Sequence, residues 1–281
     1  MLNTCMTYLK YSDFPDRQRV INKIVERHRD KLINSLPLAR LEFLEYPHHK
    51  TAICILSKVP NPDVVVIYTY GGLIPHHFHY TPAGKISDKT HEAPQFTWEW
   101  IEHWLNQNVA IAIFDVPDYF IATVNGMGWV GSFYRMSDDR KREAKQVIDL
   151  LSDQFPESKI TWFGISYGAL DAAMISLEET KLYKIVSASG TWHVLPDRDK
   201  HHQGGRLDWY DVTSAKTPVL VVMHEKEVFD HARDQMTKTE SILVTNDVSA
   251  DDGHFFRCRQ NDVVAAMCDW YRDKPIPKII P

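Results

Sequence analysis

Residues 64–70 read Val-Val-Val-Ile-Tyr-Thr-Tyr, a nearly continuous apolar run without a charge. A strand with water on one face alternates apolar and polar residues. An unbroken run instead asks for burial on both faces, the situation of a strand inside a helix-covered parallel sheet. Similar runs return at Val109–Phe114, Lys159–Phe163, Lys184–Ser189, Pro218–Met223 and Ser241–Thr245. Helical patterns fall between several of them. Trp98–Asn106 reads as a helix with Thr97 as its N-cap. Asp138–Gln154 places Ala144, Val147, Ile148 and Leu151 on one face, Ser166–Leu177 is rich in alanine, and Asn261–Tyr271 closes the series. Strands alternating with helices predict an α/β chain, with a mostly parallel central sheet covered on both faces.

Upstream of that series, residues 16–34 carry Val20, Ile21, Ile24, Val25, Leu32 and Ile33 at amphipathic helical spacing. Leu41–Tyr46 and Thr51–Ser57 are β-favouring runs separated by Pro47 and two histidines, and are expected to form an antiparallel pair. There is no internal repeat, low-complexity linker or domain boundary. The expectation is one domain over residues 1–281, with residues 1–40 a helical extension and residues 191–217 a loop or very small cap.

The 281 residues are 44% hydrophobic and 25% charged, ordinary for a globular chain, and the net charge of −5 comes without a basic block. That balance argues against nucleic acid or an anionic membrane surface as the main partner. Cys5, Cys54, Cys258 and Cys268 show no C-x-x-C spacing and read as free thiols, which fits a reducing compartment. The N-terminus lacks a charged segment followed by an apolar one, and no apolar run approaches the roughly 18–20 residues of a membrane span. A cytoplasmic location is the expectation.

The run Lys159–Phe163 leads directly into Gly164-Ile165-Ser166-Tyr167-Gly168. G-x-S-x-G between a strand and a helix can form a nucleophile elbow, a sharp turn that holds a serine hydroxyl at the edge of a sheet. A serine hydroxyl is a weak nucleophile at neutral pH, so it needs a base and a group that orients the base. In this setting the partners follow in the order nucleophile, acid, histidine. The acid should follow a late strand. After Pro218–Met223 comes His224-Glu225-Lys-Glu227-Val-Phe-Asp230, in which Glu227 is the favoured acid and Glu225 and Asp230 are its rivals. The histidine should lie between the last strand and the last helix, where Gly253-His254-Phe255 stands. His254 would take the serine proton and return it to the leaving group, while Glu227 fixes the imidazole tautomer. The tetrahedral oxyanion needs donors. One would be the Tyr167 backbone N–H; the other would come from Gly72 or Leu73 after the first buried strand, with Gly72 favoured.

These residues together resemble the α/β-hydrolase superfamily over about residues 50–272. The resemblance rests on Tyr70-Gly71-Gly72, Gly164–Gly168, the Glu227 turn and Gly253-His254-Phe255. It is closer still to a bacterial branch of that superfamily with poorly defined substrates, marked here by Asp115-Val-Pro117 and Tyr134-Arg135-Met-Ser137. The chain departs from the superfamily pattern in having Tyr70-Gly71 where His-Gly is usual, and Glu in place of the commoner Asp as the acid. The resemblance implies an α/β-hydrolase fold with a minimal cap and hydrolysis of an ester, thioester or amide without a cofactor. The expectation is a carboxylesterase acting on a small-molecule acyl substrate, with Tyr70, Phe78, Trp129, Phe133, Tyr167 and Trp192 as candidate pocket residues. A peptidase, amidase or acyltransferase on the same triad is the alternative, and a non-catalytic binding protein on this scaffold is a further one.

Two other patterns carry less. Gly126-Met-Gly128-Trp-Val-Gly131 matches a dinucleotide fingerprint in spelling, but residues 115–125 separate it from the preceding strand and no helix opens after it. His76, His77, His79 and His91 lack the carboxylate or thiolate frame of a metal site, so no metal is expected.

Overall fold

The computed structural model describes residues 31–32, 34–45, 50–69, 95–114, 138–165, 168–178, 180–189, 215–224, 240–245, 256 and 259–281. Its centre is a nine-stranded sheet in the order β1-β2-β4-β3-β5-β6-β7-β8-β9. The strands are β1 (Leu38–Glu45), β2 (Lys50–Ser57), β3 (Val64–Thr69), β4 (Ala110–Phe114), β5 (Lys159–Ile165), β6 (Lys184–Ala188), β7 (Val219–Met223), β8 (Glu240–Val244) and β9 (Ile279–Ile280). Four described helices go with them: α1 (Gln95–Asn106), α2 (Asp138–Gln154), α3 (Gly168–Ser176) and α4 (Gln260–Tyr271).

β1 and β2 pair antiparallel, and β2 pairs antiparallel with β4. From β4 to β9 every pairing is parallel. The unbroken apolar runs predicted this burial: β3, β4 and β7 are buried at every position. Successive side chains of a strand point to opposite faces, so one run feeds two cores. On one face Val64, Val66, Tyr68, Phe163 and Ile165 pack with Trp100 and Trp104 of α1 and Val263, Val264 and Met267 of α4. On the other, Val65, Ile67 and Trp162 pack with Val147, Ile148 and Leu151 of α2 and Ala169, Ala172 and Ala173 of α3. Cys54 and Cys268 are buried thiols outside any disulfide, and burial pushes the Cys268 thiol up to about 12, as suits a packing residue.

The structure corrects several sequence-based boundaries. α1 begins at Gln95, so Thr97 lies within its first turn and is not its N-cap. β5 runs two residues past Phe163, to Ile165, and the helix described after it spans Gly168–Ser176. β1 starts at Leu38, earlier than Leu41. β9 was not anticipated at all. Of the expected helix over residues 16–34, only its C-terminal end falls within the described residues, and there helix reaches Ser35.

Candidate functional site

Strand order alone marks one place on this sheet. The chain leaves β3, forms β4 on one side of it, then returns to form β5 on the other side. The helix that follows β3, α1, covers one face, and the helix that follows β5, α3, covers the other. The segments leaving β3 and β5 therefore part at the carboxyl ends of two neighbouring strands. Such a switch point opens a crevice, and ligands of open α/β sheets bind there. The strand ends are closely level: Thr69 lies opposite Gly164, Ile165 opposite Ala188, Ala188 opposite Val222, and Met223 opposite Leu243.

At this edge β5 ends at Ile165 and α3 begins at Gly168, leaving two residues for the whole strand-to-helix turn. So short a turn forces helix and strand together. A Cβ placed on Gly164 would stand 2.2 Å from the Gly168 carbonyl oxygen, 2.7 Å from the Gly168 carbonyl carbon and 3.0 Å from Ala172 Cβ. Only glycine fits at 164. The first glycine of G-x-S-x-G thus has a steric cause in the carbonyl of the residue four positions on.

The surrounding polar groups fasten the same turn. Thr69 Oγ1 donates to the Gly168 carbonyl at 3.1 Å and accepts from Trp162 Nε1 at 3.0 Å. Asp171, in the first turn of α3, receives two hydrogen bonds from Arg140 of α2, Nε to Oδ1 at 3.2 Å and Nη2 to Oδ2 at 3.1 Å. Glu143 approaches the same guanidinium at 3.5 Å, and the Phe114 ring at the end of β4 lies 3.6 Å beneath it. Arg140, Asp171 and Glu143 are all buried.

A chain of rings ties in the late segments. Phe256 is buried with a left-handed φ of 52°. Its ring lies edge-on to Trp100 at 6.2 Å and to His224, the residue after β7, at 6.3 Å. Trp100 contacts Phe163 of β5 at 5.3 Å, and Phe163 stacks on Tyr68 of β3 at 5.4 Å. Residue 256 is thereby anchored among the carboxyl halves of β3, β5 and β7. Beside β5, Ser189 follows β6 with a left-handed φ of 46°, is buried, and its Oγ has no hydrogen-bond partner among the described residues.

The comparisons with known proteins agree with this topology. No protein-family model matches the sequence, and no curated protein matches it. Solved structures do match. A dienelactone hydrolase from Anabaena variabilis superposes with a TM-score of 0.57 at 13% identity, covering 85% of this chain and 98% of that one. A 2,6-dihydroxy-pseudo-oxynicotine hydrolase gives 0.59 at 16% identity, covering 95% and 78%. An acylaminoacyl peptidase from Pyrococcus horikoshii gives 0.54 at 10% identity, covering 88% and 43%. The chain has the α/β-hydrolase fold.

Within the α/β-hydrolase fold the sequence-predicted site residues can be placed only by their neighbours in the chain. Ser166, Tyr167, Gly72, Leu73, Glu227, His254, Tyr70, Trp129, Phe133 and Trp192 lie outside the described residues, as do Phe78, Glu225, Asp230, the glycines at 126–131 and the four histidines considered for a metal. Ser166 directly follows Ile165 of β5, Gly72 comes three residues after Thr69 of β3, and Glu227 comes four after Met223 of β7. His254 stands two residues before Phe256. Among the described residues no cluster of three or more His, Cys, Asp or Glu side chains could hold a metal ion, and no helix is long and apolar enough to cross a membrane.

Sequence reasoning missed Thr69, Ser189, Phe256 and the Arg140–Asp171 pair. Thr69 and Ser189 were open to notice as hydroxyls closing apolar runs. Phe256 carried no signal, since a φ of 52° is unusual for an aromatic residue. Charged Arg140 and Asp171 read as solvated helix positions.

Proposed function

We propose that this chain is a serine hydrolase that cleaves carboxylic esters through an acyl-enzyme on Ser166. The observation that carries the reading is the contact between Gly164 and Gly168, 2.2 Å from a Cβ position to a carbonyl oxygen across a two-residue turn. A nucleophile elbow is a sharp strand-to-helix turn, and a helix start held this close to the strand end is consistent with one. The chain positions of Gly72, Glu227 and His254, each just beyond a strand end or anchor at the same edge, add support.

Ser166 Oγ attacks the ester carbonyl while His254 takes its proton. The Tyr167 and Gly72 (or Leu73) backbone N–H groups receive the developing oxyanion, and Glu227 holds the imidazole tautomer and stabilises the imidazolium. The intermediate collapses, His254 protonates the departing alcohol, and water activated by His254 hydrolyses the acyl-enzyme. Every charge that appears is met by a residue of the chain, so the route needs no cofactor. The aromatic residues Tyr70, Trp129, Phe133 and Trp192 would supply an apolar acyl pocket. The ester preference is supported by the likeness to a dienelactone hydrolase, since a dienelactone is a cyclic ester.

A fluorophosphonate probe and a series of p-nitrophenyl esters test this. Ser166 should be labelled in the folded protein, and Ser166→Ala should abolish labelling and lower kcat by roughly 10⁴–10⁶. Failure of the folded wild type to label at Ser166 overturns the proposal. Faster turnover of matched anilides than of the esters would move the activity to amides.

A further inference from the structure

We infer that Thr69 is a positioning residue that sets the oxyanion hole of this enzyme, an inference that rests on the serine hydrolase reading above. The hole needs two backbone donors carried by two different elements: Tyr167, at the start of the segment after β5, and Gly72, after β3. Nothing in the sheet ladder itself fixes these two segments relative to each other, because both lie beyond the last paired residues, Thr69 opposite Gly164.

Thr69 Oγ1 supplies the missing link. It is fully buried and is the last residue of β3, three positions before Gly72. Its hydroxyl donates at 3.1 Å to the carbonyl of Gly168, the residue that follows Tyr167. One donor-bearing segment is thus pinned at its root to the first residue after the other donor.

The pin is held from two further sides. Trp162 Nε1 donates to Thr69 Oγ1 at 3.0 Å, which leaves the hydroxyl proton to point at Gly168. The Gly168 oxygen is backed against Gly164, where a Cβ would stand only 2.2 Å away. The carbonyl therefore sits between a β3 hydroxyl and the β5 backbone. Without the hydroxyl, only the steric side remains, and the first turn of α3 can lift from β3. Catalytic donors must be placed to a fraction of an ångström, since a 1 Å misplacement costs about 10²-fold in rate.

The test uses the full chain. Thr69→Val keeps the shape and removes both hydrogen bonds. It should lower kcat for an ester about 10–100-fold with KM within about twofold, because ground-state binding does not use the hole. Affinity for a trifluoromethyl ketone, which forms an oxyanion adduct with the serine, should fall in parallel with kcat, and Thr69→Ser should restore both. Thr69→Val also orphans the buried Trp162 N–H, so Thr69→Val/Trp162→Phe removes that donor and serves as the control for folding. Relative to Trp162→Phe alone, which carries the cost of the smaller core ring, the double variant should lose little stability while kcat stays low. Wild-type kcat in a folded Thr69→Val, or recovery of kcat in the double variant, overturns the inference. If the wild type is labelled by fluorophosphonate in that case, the hydrolase reading stands and only the role of Thr69 is lost. Absence of labelling in the wild type overturns both.

Discussion

A side chain at position 164 has no room to turn into. The nearest atoms to its would-be Cβ are the oxygen and carbon of the Gly168 carbonyl, at 2.2 and 2.7 Å, and these are backbone. A flexible neighbour could rotate away; a helix start cannot. Gly164→Ala must therefore push α3 off β5 or leave β5 unpaired at its end. Overpacking of this kind costs about 1–3 kcal/mol, and rigid neighbours place it at the upper part of that range. For a chain of this size the melting temperature should fall by roughly 3–5 °C. Ester hydrolysis should fall by a larger factor than stability accounts for, because the displaced segment is the one that carries Ser166. Calorimetry alongside kcat/KM checks both halves, and a Gly164→Ala protein with wild-type values for each would mean the turn has slack. The sequence announced a glycine at 164 through its pattern. What it could not show is the reason, because the atom that excludes a side chain belongs to the next element.

The pairing of α2 with α3 shows the same limit at the scale of elements. Ala144, Val147, Ile148 and Leu151 were legible as the buried stripe of α2, and all four are buried. Arg140 continues that stripe one turn earlier, four residues before Ala144, and is buried as well. A charge in this position reads as solvated until Asp171 is brought opposite by the fold. Arg140→Met strips Asp171 of two hydrogen bonds and Glu143 of its nearby cation, all inside the core. Breaking a buried pair from one side costs about 3–5 kcal/mol. Replacing both partners, as in Arg140→Met/Asp171→Leu, should recover the part owed to Asp171, while Glu143 still lacks its cation. Urea midpoints of the single and double variants test this; equal losses in both would show that the pair is not the source of the effect. Element boundaries were read with similar gaps. β9 is two residues long and lies between Pro277 and Pro281, too short for any periodicity to register. β1 begins at Leu38, ahead of Arg40 and Glu42, whose charges make an outer strand look like a loop. β5 carries on through Gly164 because pairing with Thr69 and Ser187 outweighs glycine's weak strand preference.

Across the whole molecule the proposed site and the ion pairs lie at opposite edges of the sheet. The predicted catalytic residues follow the carboxyl ends of β3, β5 and β7 and the segment after β8. Nothing in composition could order those strands; their order came from the observed topology. At the amino edge, ion pairs fasten the chain. Arg272, after α4, grips Asp63, just before β3, with Nε to Oδ2 at 2.6 Å and Nη2 to Oδ1 at 2.8 Å. Asp273 meets Lys159 at 2.7 Å, Lys184 at 2.8 Å and the Tyr183 hydroxyl. Hydrogen bonding from Arg272 holds the Asp63 carboxyl below its ordinary value of 3.8, and bonding from Lys159, Lys184 and Tyr183 does the same for Asp273. Glu178 is held below 4.5, chiefly by Lys145 and then Lys141. A carboxyl whose folded pKa lies below its unfolded one stabilises the fold at pH above the unfolded value, and that contribution is lost as pH falls through the folded value. Stability should therefore be insensitive to these groups above about pH 5 and decline as the pH drops below about 4. The Asp63 pair is partly exposed, so it is worth about 1 kcal/mol or less. Asp63→Asn should accordingly lower the urea midpoint slightly at pH 7 and flatten part of the decline between pH 5 and 3. A variant whose acid decline matches the wild type would show that Asp63 titrates alike in the folded and unfolded chains.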